Sequence, residues 1–181
     1  VMALRARDES GPVLAGQVRL YPSVDLGAPM LPAPDGQFYI LSPQTRKFFN
    51  GAYLREPAFV SLPYVSPGTV DDLRGLPPTL IITAEYDPLC AQGEALAARL
   101  KQMGIETALT RYDGAIHGFA TFPVPMRDQA LRQIADWLGR PERRHQQLLR
   151  QGWHTHLQEH GQSLHLHGEG VRQLRPAGAD Q

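Results

Sequence analysis

With 181 residues, 42% of them hydrophobic and 20% charged, the chain carries enough apolar material for one globular domain with its own core. Lys and Arg balance Asp and Glu at 18 each, which leaves no net charge to draw nucleic acid, an anionic membrane or a polyanionic substrate. The lone Cys90 excludes an internal disulfide framework, and no apolar run approaches the roughly 20 residues that span a bilayer, so a soluble, cytoplasmic chain is expected.

Residues 1–8, "VMALRARD", read as the end of a helix stopped by Gly11 and Pro12. The chain opens on Val and lacks a basic and apolar leader, and is expected to come from the middle of a longer sequence. A short strand follows over Gln17 to Tyr21, closed by Pro22. Residues 27–78 are rich in Pro and Gly, with one helix in "SPQTRKFFNGAYL". There Ser42 suits the N-cap, Pro43 suits the first turn, and Phe48, Phe49, Ala52 and Tyr53 form an apolar face.

Regularity returns at Leu80. The run Leu80 to Ala84 is apolar at nearly every position, which predicts a strand covered on both faces, as in a parallel sheet. A helix from Leu89 to Met103 follows, with Leu89, Leu96, Leu100 and Met103 on one face and Gly104 as its stop. Ile105 to Tyr112 alternates as a strand and completes a β-α-β unit. A last helix, Pro125 to Leu138, places Met126, Ala130, Ile134 and Leu138 on one stripe. Strands alternating with helices of this length imply an α/β fold with parallel strands. Residues 1–140 form this unit. Residues 141–181 hold six of the seven histidines, show no hydrophobic period and are expected to be disordered.

Functional groups of parallel sheets collect beyond the carboxyl ends of the strands. Asp87 follows one strand and His117, in "YDGAIHGF", follows the next, so both belong to one rim. Asp87 can cap the following helix, or it can accept a hydrogen bond from His117 and steady the imidazolium of a nucleophilic triad. Glu85 and Asp113 stand at similar places as second choices for the acid. Glu85 is read as hydrogen-bonding or packing near the strand end, and Asp113 as a turn former.

The stretch "LPPTLIITAEYDPLCAQGEALAARLKQMGIETALTRYDGAIHGF" resembles the C-terminal catalytic segment of the hormone-sensitive-lipase-like esterases, the α/β-hydrolase fold-3 family. The similarity runs from residue 1 to about residue 139, and the paired signals "EYDPL" and "IHGF" carry it. The resemblance implies the C-terminal half of an α/β-hydrolase fold, a serine-dependent carboxylic ester hydrolase. Asp87 would be the triad acid and His117 the general base, with no cofactor, no metal and a small-molecule ester as substrate. It also makes Phe38, Tyr39, Phe48, Phe49 and Tyr53 candidates for the substrate pocket, beside a plain core role, while Gly118 and Phe119 set the loop of the base.

The chain departs from the pattern at the nucleophile. None of its six serines, Ser10, Ser23, Ser42, Ser61, Ser66 and Ser163, lies in G-x-S-x-G, and no HGGG-type oxyanion segment occurs. The resemblance places both upstream of residue 1. Negligible esterase activity is therefore expected of the isolated chain, together with an exposed sheet edge and self-association. Cys90 stands at a helix start, but "DPLCAQG" lacks a nucleophile turn and favours a structural thiol. The tail's "HTH" and "HLH" complete no zinc-like ligand set and suggest adventitious metal binding only. The rival to the esterase reading is a catalytically inactive fragment serving, if at all, as an interaction module.

Overall fold

The computed structural model describes residues 1–139 and, beyond them, two short strands. Apart from those two strands, residues 141–181, on which the expected disorder and the reading of the histidines fall, lie outside the described residues. The central sheet has three strands, β1 (Gln17–Leu20), β2 (Thr79–Tyr86) and β3 (Thr107–Ile116), in the spatial order β1-β2-β3. Both pairings are parallel. Among the described residues four α-helices accompany them: α1 (Met2–Asp8), α2 (Pro43–Tyr53), α3 (Cys90–Gln102) and α4 (Pro125–Leu138). The two strands in the tail, β4 (His154–Thr155) and β5 (Leu166–His167), pair antiparallel. Among the described residues no helix is long and apolar enough to cross a membrane.

β2 is the middle strand, and its sequence shows why. Alternate side chains point to opposite faces, so an apolar residue at nearly every position needs two covered faces. Ile81 joins Leu96, Ala97 and Leu100 of α3 and Ala3 and Leu4 of α1 on one side. Leu80, Ile82 and Ala84 join Phe119, Ala130 and Trp137 on the other. Leu80, Ile81, Ile82 and Ala84 are all fully buried. Each of the three larger side chains contributes about 1.5–3 kcal/mol by leaving water.

α3 buries the predicted face, with Leu89, Leu96 and Leu100 shielded and Met103 packed at the margin. α4 differs at its last turn: Leu138 is 53% exposed and Trp137 is buried in its place. The stripe closes at position 137 because the indole enters space left by Gly16, where an added Cβ would stand 2.5 Å from Trp137 Cη2. The first strand stops at Leu20, since Tyr21 turns to φ +37, although its N–H still donates to Ile82 O at 2.6 Å. β3 begins later than predicted and runs on to Ile116 through an irregularity opposite Ala84 and Tyr86.

α2 forms where the sequence predicts, with Ser42 Oγ accepting from the Thr45 N–H at 3.2 Å. None of its residues is buried. Arg46 ties it to the loop after β1, donating to the Ala28 and Leu26 carbonyls.

Candidate active site

Asp87 leaves β2 at its carboxyl end and is buried, 4% exposed as a residue. A buried carboxylate must find donors for both oxygens, because desolvation without them costs several kcal/mol. Its Oδ1 accepts from the Leu89 N–H at 2.8 Å, a local turn that starts α3. Its Oδ2 meets His117 Nδ1 at 2.8 Å. The sequence left capping and base-orienting as alternatives; one oxygen closes the turn at Leu89, the N-cap position of α3, and the other meets the His117 ring.

A carboxylate can only accept, so Nδ1 of His117 is the donor in this contact, and among the described residues Nε2 has no hydrogen-bond partner. The ring is 23% exposed and lines a cleft of about 530 Å³. A base oriented by a buried acid, with its second nitrogen free beside a cleft, is the arrangement that removes a proton from a hydroxyl nucleophile. Gly118 follows in a left-handed conformation, φ +79, and turns Phe119 back into the core.

Tyr21 completes the surroundings of the His117 ring and was not singled out from the sequence. Its ring stands edge-on to His117, with centroids 4.9 Å apart and planes at 62°. Burial and the nearby negative charge of Asp87 push its phenol above the ordinary tyrosine range. The signal for this residue is a left-handed backbone angle at a bulky side chain, which no periodicity encodes.

The cleft walls come from the Pro-rich excursion and from α2. Leu26, Leu41, Phe49, Tyr53, Val65 and Leu89 supply apolar lining. Of the predicted pocket aromatics, Phe49 and Tyr53 line this cleft. Phe48 faces Lys47, Gly51 and Ala52 on another surface of α2. Phe38 is not among the lining residues of the cleft, and Tyr39 packs its ring edge against Tyr86, 5.9 Å away. The loop after β1 is held by Gln92 Oε1, which accepts from the Val24 and Asp25 N–H groups, and by Ser66 Oγ, which accepts from Leu26.

The second-choice groups have other partners. Glu85 Oε2 accepts from the Gly114 N–H at 2.7 Å, and Asp113 sits 3.5 Å from Arg111 Nε in the open. Burial, then the charge of Glu94, pushes the Cys90 thiol up to about 11, which keeps it protonated near neutral pH. Among the described serines, Ser66 is buried in backbone hydrogen bonds, Ser42 caps α2, and Ser23 lines the cleft without a hydrogen bond to His117.

Known proteins share this arrangement of strands. The sequence model of the family described as alpha/beta hydrolase fold matches residues 1–121. An arylesterase of Saccharolobus solfataricus is 42% identical over 87 residues, which cover 48% of this chain and 27% of the relative. The carboxylesterase NlhH of Mycobacterium tuberculosis is 35% identical over 128 residues, 67% of this chain and 40% of the relative. Among solved structures, an esterase of Pyrobaculum calidifontis superposes with a TM-score of 0.68 at 38% identity, covering 74% of this chain and 45% of that one. The chain thus spans less than half the length of each.

Proposed function

The chain belongs to the esterase-type α/β-hydrolase fold family, and from that premise we propose that it supplies the acid and base of a serine-dependent carboxylic ester hydrolase. The observation that carries this reading is the 2.8 Å contact between His117 Nδ1 and the buried Oδ2 of Asp87, at the edge of an apolar-walled cleft. The nucleophilic serine and the oxyanion donors would come from residues outside these 181, on the side of β1 away from β2.

In that complete enzyme, the serine Oγ attacks the ester carbonyl carbon while His117 Nε2 takes its proton. Asp87 holds the ring and stabilises the imidazolium. His117 then returns the proton to the departing alcohol oxygen, leaving an acyl-serine. Water, deprotonated by the same nitrogen, cleaves the acyl bond and restores the serine. Phe49 and Tyr53 would border one group of the ester.

Grafting residues 1–139 in place of the matching part of the Pyrobaculum calidifontis esterase tests the assignment. The chimera is expected to hydrolyse a short nitrophenyl ester, and His117→Ala is expected to lose roughly 10⁴-fold or more in kcat. A folded chimera in which His117→Ala and Asp87→Asn leave turnover unchanged would sink it. The ungrafted chain should take no label from a fluorophosphonate probe, and a labelled serine within it would move the nucleophile into this chain. A second reading, a non-enzymatic interaction module, draws on the exposed aromatic face of α2, where Phe48 and Tyr53 are 71% and 64% exposed.

A further inference from the structure

β3 does not run straight to His117. The strands keep step as far as Ala84 opposite Tyr112, but the next pair is Tyr86 opposite Ile116. Two steps along β2 therefore face four along β3. In an unbroken register Asp87 would stand opposite Ala115, and His117 would lie two residues, about 6.6 Å, further along the strand. That offset is more than twice the length of the hydrogen bond that joins them. The bulge draws His117 back into line with Asp87, and because its excess is an even number of residues, the ring keeps its side of the sheet.

Something must hold two surplus residues in a strand that would gain ladder hydrogen bonds by expelling them. Ala115, 2% exposed, anchors one end in the core beneath α4. At the other end Gly114 adopts φ +73, and its N–H donates to Glu85 Oε2 at 2.7 Å. Glu85 lies at the step of β2 that the register skips, so its carboxylate replaces the missing ladder partner. Among the described residues, no other side chain hydrogen-bonds the backbone of residues 113–115.

We propose that Glu85 is a positioning residue whose carboxylate pins the Asp113–Ala115 bulge and thereby sets His117 in line with Asp87. The role builds on the assignment of His117 as the base, yet the geometry it maintains is measurable without turnover.

The test is a long-range ¹H–¹⁵N spectrum of the full chain, labelled in its histidines and assigned with His117→Ala. Asp87→Asn defines the unpaired state, in which the Nδ1–H tautomer of His117 is no longer favoured. Glu85→Ala is expected to move the His117 nitrogen shifts more than half of the way to that state. Glu85→Gln, whose amide oxygen still accepts from Gly114, should move them by less than a quarter of the way. Gly114→Ala would bring its Cβ no nearer than an ordinary 4.0 Å to Met126 Cε but strains the backbone at φ +73, and should shift them in the same direction as Glu85→Ala. Glu85→Met, of similar length without an acceptor, replaces the alanine variant if far-UV circular dichroism shows that variant unfolded. A folded Glu85→Ala or Glu85→Met chain whose His117 signals overlay the wild type overturns the proposal. Wild-type signals identical to those of Asp87→Asn would overturn the Asp87–His117 pairing itself, a separate failure.

Discussion

The β2-α3-β3 unit and the excursion carrying α2 both show apolar residues at regular spacing, but their side chains end in different places. In the first, Leu80, Ile82, Leu96 and Leu100, together with Phe119 just after β3, are 3% exposed or less; in the second, Phe48, Phe49 and Tyr53 are 56–71% exposed. Periodicity states which face of an element is apolar, and burial then needs a second surface to meet it. β2 lies between α3 and α4, so both its faces are met by neighbours in the chain. α2 is fastened through Arg46 and the cap at Ser42, leaving its aromatics at the cleft and on the outer surface.

The sharpest way to break this contrast is to truncate an aromatic in each region. Phe119→Ala should lose about 3–5 kcal/mol in urea unfolding, while Phe48→Ala should stay within about 0.5 kcal/mol. Equal losses would mean that α2 packs against more than the described residues show.

Glycines give the next comparison. A Cβ at Gly93 would stand 2.8 Å from Thr83 Cγ2, so Gly93→Ala should destabilise by about 1–3 kcal/mol. Gly51 in α2 has nothing within 4 Å, and Gly51→Ala should stabilise by about 0.5–1 kcal/mol through helix propensity. Thermal melts of the two variants should therefore move in opposite directions.

Helix starts differ as well. Ser42→Ala removes the cap of α2 and should cost about 1 kcal/mol, seen as faster amide exchange confined to that helix. Spread of the effect into α3 would show that the two regions unfold together.

The smallest effect concerns Cys90. With its thiol pushed up to about 11 by burial and Glu94, iodoacetamide should react slowly at pH 8 and the rate should inflect near that value. A folded-state value above the ordinary one favours the protonated form. The stability this group contributes is thus present below about pH 9 and declines as pH rises toward 11. Glu94→Gln should move the inflection downward.

The β-α-β unit was legible because each piece carries its period within a dozen residues, and the parallel sheet followed from the doubly apolar Leu80 to Ala84. The order of strands and helices placed Asp87 and His117 on one rim. Sequence also located α2 and its cap, since Ser-Pro before an amphipathic stretch is a local signal. Burial of Trp137 instead of Leu138 lay beyond it, because the decision rests on a gap left by Gly16 in a distant segment.

By itself, then, the sequence determined the types of the main elements, the apolar faces of β2 and α3 and the rim that carries Asp87 and His117, all of which depend on local period and chain order. Only the tertiary structure decided that Asp87 divides its oxygens between Leu89 and His117, that Tyr21 stands beside the imidazole, and that Phe49 and Tyr53, rather than Phe38 and Phe48, line the cleft. These depend on strand register, on a bulge tied by Glu85, and on side chains such as Gln92 and Arg46 that close loops between residues far apart in sequence. Such contacts have no period to read, because each is set by where two separate segments come to rest.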